Sequence, residues 1–281
     1  MTVRLLPPRR ELEPLVRAYV LRDTRDRDFA PGERRLNRYP ALALCSLNFL
    51  LSGQVLRQPF EAGATPRPDH PGLLPFPSTF VAGPNTRPIF SFDLGPVDSV
   101  TLAFHAPAFA VLTGRDPGSL VDRFVPATEL FGGAAAALAR TLRATPDPAR
   151  RLAVIETFLL QRWREAGVGY RPDTSLAGRL LARLSVGAAG LLLGWHVRTL
   201  ERRFRRGFGL APRTVRQLSR AEQAFLAARD GRPATLAGIA ADCGYTDQSH
   251  MTHDFRCLSG DAPAQLLAGV EQDESYWTYR L

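Results

Sequence analysis

Two stretches of this chain repeat one succession of residue types, with Phe204 and Phe255 at equivalent places 51 residues apart. A duplication of that kind admits few folds. The first stretch runs from Ser185 through Gly194, Trp195 and His196 to Phe204, and the second from Leu236 through Gly244, Tyr245 and Asp247 to Phe255. Each reads as a short helix of small residues, a glycine followed by an aromatic, a polar cap and a second helix. Gly194 and Gly244 can take the left-handed conformation that ends a helix at little cost. Asp247 is a good N-cap for the helix that follows, whereas His196 is a poor one.

The pattern is that of a helix-turn-helix written twice. On the second helix of the first unit, Leu200, Phe204 and Phe208 recur every four residues and are expected to face the core. At about 100° per residue, Arg198, Arg202 and Arg205 then project from the opposite side. In the second unit Met251, Phe255 and Leu258 are expected inside, leaving Ser249, His253 and Arg256 outside. A helix with one apolar and one arginine-bearing stripe suits a DNA major groove. Charge is dense there: eight arginines and one acid, Glu201, lie between Arg198 and Arg220. A solvated helix face would explain that run on charge alone; the duplication argues for phosphate neutralisation. Between the units, Pro212 opens a helix over 213–229 with Val215, Leu218, Ala221 and Phe225 as its buried stripe, a rigid spacer of about 25 Å.

The residues Arg198-Thr-Leu-Glu-Arg-Arg-Phe204, Gly209-Leu-Ala-Pro212, Ile239-Ala240, Cys243-Gly-Tyr-Thr-Asp-Gln-Ser-His250 and Phe255-Arg256 closely resemble the AraC/XylS signature, over about 174–269. The resemblance implies two helix-turn-helix units joined by a long helix and a transcription regulator whose partner is double-stranded promoter DNA. RNA polymerase, a small effector and a second copy of the chain are the further partners the family suggests. Carried over by position, Arg198, Glu201 and Arg202 are base-contact candidates in the first unit, and Gln248, Ser249, His250 and His253 in the second. Arg203, Arg205, Arg206 and Arg256 are the phosphate-contact candidates. Three features depart from the pattern. Met251 stands where the family usually has Phe. His253 replaces a frequent Arg and, mostly neutral at pH 7, contacts DNA more weakly. Gly187 and Gly190 each weaken the first unit's leading helix by about 1 kcal/mol.

The remainder of the chain has a different texture. Apolar runs at 41–51, Thr79–Ala82, 89–94 and 97–104 are divided by Pro and Gly clusters at 59–77 and 84–88, which predicts short strands in a sandwich or jelly roll. The run 81–88 and the segment 100–109 are similar to the β-rich, often cupin-like domains that precede such DNA-binding domains. From about Thr128, Leu138, Leu142, Leu152, Ile155, Leu159 and Trp163 predict one or two amphipathic helices interrupted at Pro146 and Pro148. The segment 167–172 breaks the pattern. The expected organisation is α+β: a β-rich sensor or dimerisation domain at 1–130, a helical connector at 131–172, an all-α double helix-turn-helix domain at 173–270 and an acidic, aromatic tail at 271–281 that has no assignment.

Composition bounds what else the chain could be. Hydrophobic residues make up 45%, and 36 basic residues, all arginine, outnumber 27 acids for a net charge of +9. A chain with no lysine and much Ala, Gly and Pro suggests a GC-rich genome, so arginine alone is not a functional signal; the surplus charge still favours nucleic acid. Cys45, Cys243 and Cys257 show no CxxC spacing and fit small apolar residues in a reducing cytoplasm. No secretory leader and no membrane span is expected. A metal-dependent cupin enzyme is the rival reading, but His70 and His105 are the two histidines of the N-terminal half and read as loop and strand-end residues. Ser91 and Ser99 sit in no GxSxG context, Cys45 has no activating neighbour, and no phosphate-cradling loop is present. No metal, no cofactor and no catalytic residue is expected, and the residues of an effector site are not legible.

Overall fold

The computed structural model describes residues 1–61, 63, 65–166, 197–231 and 235–281. Strands β1 (Thr2–Leu6), β2 (Val16–Asp23), β3 (Arg35–Tyr39), β4 (Leu44–Ser52), β5 (Val55–Arg57), β6 (Leu74–Pro75), β7 (Thr79–Ala82), β8 (Ile89–Asp93), β9 (Asp98–His105) and β10 (Phe124–Pro126) make two antiparallel sheets. Their orders are β1-β2-β9-β4-β7-β10 and β3-β8-β5-β6. The N-terminal half is thus β-rich, as its apolar runs predict. Strands β1, β2, β3, β5 and β10 lie outside those runs, and β6 falls within the Pro-rich stretch whose composition predicts only a break between strands.

A period of two decides what each face of the larger sheet does. Along β4, Cys45, Leu47, Phe49 and Leu51 are buried on one side while Ser46 and Asn48 point to the other. On β9, Val100, Leu102 and Phe104 match them, with Cys45 opposite Phe104, Leu47 opposite Leu102 and Phe49 opposite Val100. The apolar face is covered by α1 (Ala106–Thr113), α2 (Thr128–Phe131), α3 (Gly133–Arg143) and α4 (Pro148–Ala166). Leu138, Leu142, Ile155 and Leu159 share one core with Leu47 and Phe104, so the helices expected as a connector cover this sheet.

Arg151 of α4 sits inside that layer and forks onto Asp98 at 2.9 and 2.8 Å, with both side chains almost fully buried. It also donates to the carbonyl oxygens of Leu142 and Thr145, so its charge is neutralised and most of its donors are used.

The C-terminal part contains α5 (Val197–Phe208), α6 (Pro212–Arg229), α7 (Leu236–Asp242), α8 (Gln248–Ser259) and α9 (Pro263–Gln272). After α9 the unassigned tail forms a 3-10 segment, Glu274–Arg280, with Tyr276, Trp277 and Tyr279 buried. It lies against β3. Trp277 Nε1 donates to Asn37 Oδ1 at 2.8 Å, and the Thr278 hydroxyl donates to the Arg38 carbonyl. Behind Asn37 stands Asp93, which accepts from Asn37 Nδ2 at 2.9 Å and from Arg22 at 2.6 Å; the Arg22 guanidinium in turn lies 4.9 Å from the Trp277 ring centroid. Arg38 bridges to Asp261 at 2.9 Å, and the amide of Ala41 donates to the Leu258 carbonyl at 2.8 Å. Ala41 shares a cluster with Phe204, Leu210, Val215, Leu218 and Leu258, so sheets and helices pack directly on one another.

Two measurements check this architecture. Arg151→Met leaves the buried Asp98 carboxylate only the longer contact to Arg25, at 3.4 Å, and is expected to lower unfolding free energy by about 3 kcal/mol in urea titration; wild-type stability would mean the pair is not buried. Burial raises the Cys45 thiol to about 12, while Cys257 is exposed. In native protein a thiol reagent should therefore label Cys257 and leave Cys45 until denaturant is added.

Candidate nucleic-acid interface

The second unit is described from end to end. Thr235 caps α7, its hydroxyl accepting from the Gly238 amide at 3.2 Å. Gly244 follows with φ +75°, the left-handed turn that the Gly-aromatic pair predicts. Asp247 then caps α8 by accepting from the His250 amide at 2.7 Å. Met251, Phe255 and Leu258 of α8 are buried, while Gln248, Ser249, His253 and Arg256 are exposed on the other side. His250 differs from its neighbours. It is half-buried and edge-on to Tyr245, with Nδ1 3.3 Å from the Thr246 hydroxyl and Nε2 3.4 Å from an Arg220 nitrogen.

In the first unit, α5 presents Arg198, Glu201, Arg202, Arg205 and Arg206 to solvent. Phe204 is buried and stacks on Phe208 at 4.8 Å. The side chains of Leu200 and Arg203 lie outside the described residues, as does the leading helix with Gly187, Gly190, Gly194, Trp195 and His196. The far end of α5 docks on the β-rich half. Gly209 has φ +73°, and a Cβ there would come within 2.6 Å of the Gly118 nitrogen and the Pro117 carbonyl carbon, a fit that glycine alone permits.

The spacer helix α6 buries Val215 and Leu218 as predicted, and also Ala224, whereas Ala221 and Phe225 of the expected stripe are only partly buried. Arg220 takes a place that charge counting alone hides. It pairs with the buried Asp254 of α8 at 2.8 Å, lies 4.2 Å over the Tyr245 ring, and shares Asp254 with Gln217, which donates at 2.7 Å. Of the eight arginines counted between 198 and 220, Arg220 is therefore committed to holding α8 against α6. The available signal was Asp254 itself, an acid three residues after Met251 and so on the apolar side of α8.

Between the two sheets and the C-terminal helices lies a cavity of about 480 Å³. Its walls come from β4 and β9 (Asn48, Thr101), from α6 (Leu218, Phe225) and from the tail (Trp277, Tyr279). Sequence reasoning missed it because its walls come together only through pairings distant in the chain. The alternating polar residues Ser46 and Asn48 inside an apolar strand were the one local hint. His70 pairs with Glu61 at 3.1 Å, and burial together with the nearby Arg17 lowers the His105 pKa. Among the described residues no cluster of three His, Cys, Asp or Glu could hold a metal ion, and no helix is long and apolar enough to cross a membrane.

Arg220→Ala should loosen α8 by about 1.5–3 kcal/mol, since Asp254 would lose its charged partner. Hydrogen exchange over 236–259 reads this directly; unchanged protection would show that the pair does not hold the helix.

A family model described as a helix-turn-helix domain matches residues 192–269. No curated protein matches. Among solved structures, the chain is similar to ToxT from Vibrio cholerae O395, at 10% identity and TM-score 0.44, covering 84% of this chain and 94% of that one. It is similar to unsaturated fatty acid-bound wild-type ToxT from Vibrio cholerae strain SCE256, at 11% identity and TM-score 0.42 over 85% and 97%. Similarity to the AraC-like transcriptional activator CuxR is at 12% identity and TM-score 0.26 over 99% and 90%. The family match agrees with the geometry of the second unit, where the Asp247 cap and the buried Met251–Phe255–Leu258 stripe set α8 after α7: residues 192–269 carry a helix-turn-helix domain.

Proposed function

We propose that this chain is a transcription regulator whose two helix-turn-helix units read adjacent major-groove segments of promoter DNA, under the control of a small molecule held by the β-rich half. The observation that carries the reading is the division of α5 and α8 into opposite faces. Apolar residues lie inside and a row of polar and cationic side chains lies free outside. Solvated helix faces usually mix acids with bases, whereas α5 exposes four arginines and one glutamate.

Roles follow from chemistry. Arg198 and Arg202 are suited to bidentate bonds with guanine, and Glu201 to accepting from cytosine. In the second unit Gln248 suits adenine, with Ser249 and His253 beside it. His250, engaged with Tyr245 and Arg220, orients the start of α8 more readily than it reaches a base. Arg203, Arg205, Arg206 and Arg256 supply phosphate contacts, which give affinity and register without sequence choice. For control, α6 is the element both functions share: Leu218 and Phe225 line the cavity, while Arg220 of the same helix holds α8. A ligand that shifts α6 therefore shifts the second reading helix relative to the first.

On a DNA fragment obtained by selection, Arg202→Ala should weaken binding by about 1–3 kcal/mol and relax preference at one base pair. Arg206→Ala should weaken all sequences alike and lower the slope of log K against log salt by about 1. Fluorescence anisotropy over a salt series separates the two; if both variants bound every probe as the parent does, α5 would not be a reading helix.

A further inference from the structure

The cavity described above also carries information about the charge of its occupant. Resting on the reading that it takes a controlling ligand, we propose that this ligand is an uncharged molecule with a flat, apolar body and a hydrogen-bond acceptor, and is neither a carboxylate nor a cation.

Size comes first. A volume of about 480 Å³ falls within the range of roughly 300–1,000 Å³ typical of small-molecule sites. Aromatic walls set the body. Phe76, Phe80 and Phe124 line one end, with Phe76 stacked on Phe80 at 4.4 Å and edge-on to Phe124 at 5.1 Å, and Phe225 of α6 also lines the cavity. Flat surfaces of this kind favour a ring system.

A polar row sets the acceptor. On the cavity face of the larger sheet, the Thr101 hydroxyl donates to Asn48 Oδ1 at 2.9 Å, and Asn48 Nδ2 donates to Ser46 Oγ at 2.9 Å. Ser46, Asn48 and Thr101 line the cavity, and the direction of that chain leaves the Ser46 hydroxyl proton and the second Asn48 amide proton without an acceptor among the described residues. Donors placed in an otherwise apolar site favour an occupant that satisfies them, such as a carbonyl or ether oxygen.

Charge is settled by pairing. Four charged side chains, two of each sign, line the cavity: Arg17, Arg22, Asp93 and Glu222. Arg22 is bonded to Asp93 at 2.6 Å with both side chains buried, and Arg17 is bonded to Glu222. A ligand carboxylate at Arg22, whose Nε has no partner, would have to share that one guanidinium with Asp93, which is 1% exposed and holds Asn37 and, through it, Trp277, so two negative charges would meet in a dry site with one positive charge between them. A ligand cation at Asp93 would crowd Arg22 in the same way. Arg17 and Glu222 lie at the half-exposed rim, where water screens the attraction a charged ligand could gain.

The test compares two fluorescent naphthalenes on the full-length chain: uncharged 6-propionyl-2-(dimethylamino)naphthalene, whose ketone is an acceptor, and anionic 8-anilinonaphthalene-1-sulfonate. The neutral dye is expected to bind at one saturable site, at least about tenfold tighter than the sulfonate. Ala103→Phe, which fills the cavity from β9, should abolish that binding, with Ala82→Leu as the second filling variant if the first does not fold. Asn48→Leu should weaken the neutral dye by about fivefold or more and shift its emission to that of an acceptor without a donor. Equal or tighter binding of the sulfonate overturns the proposal, as does neutral-dye binding that survives both filling variants or the absence of any saturable binding. DNA binding measured on the same preparation separates the two readings. A chain that binds DNA but no dye overturns this inference alone, and one that takes up the neutral dye at the cavity but binds no DNA supports it while contradicting the function proposed above.

Discussion

A buried charge needs a partner, and the one at Asp93 organises much of this molecule. Its carboxylate is nearly inaccessible and is satisfied by Arg22 of β2 and Asn37 of β3. Asn37 turns its oxygen to Trp277, and the Trp277 ring lies beneath the Arg22 guanidinium. Two strands of the smaller sheet, one of the larger and the C-terminal tail are thereby closed into a single circuit of three hydrogen-bonded links and one cation–π contact. Removing any member would leave charge or a polar group in a dry site, the costliest defect available to a core. The Arg38–Asp261 bridge and the Ala41–Leu258 backbone bond extend the same dock toward α8. The cavity exists because the helices are held against the sheets at this place.

The helices that bear the candidate DNA contacts are readable in the sequence because their determinants are local. Phe204 and Phe208, or Met251, Phe255 and Leu258, mark a buried stripe at helical spacing; Gly244 and Asp247 punctuate the turn between α7 and α8 by backbone and capping chemistry that needs no distant partner. The amphipathic patterns of α3 and α4 were equally plain. Strands β2 and β3 were not, since their partners β9 and β8 are far along the chain, nor was β1, which pairs with β2; short strands with mixed faces carry little periodic signal. Trp277 illustrates the same limit. An indole in an acidic tail has no local reason to be buried, and its role appears only when Asn37 and Arg22 arrive beside it. Arg220 was legible as charge but not as a clamp, because its destination depends on Asp254, 34 residues onward.

Two chemistries share α6. One side of the helix meets the aromatic, internally neutralised cavity; through Arg220 it also grips α8. Gly209 fixes the end of α5 against the 3-10 turn at Pro117–Leu120, so α5 too is held by the β-rich half. In this account the sheets set the separation and tilt of two helices that DNA requires to be about one helical turn apart. Affinity would come from the arginine rows, sequence choice from a few side chains among them, and regulation from anything that alters the dock.

The most direct test of two reading helices on one polypeptide is a hydroxyl-radical and methylation-interference footprint on a fragment selected from random DNA. The account predicts two major-groove contact segments on the same face of the duplex, centred about 10 base pairs apart, with the loss of one segment when Gln248 and Ser249 of α8 are replaced by alanine. A single contact segment, or protection that does not depend on sequence, would contradict it.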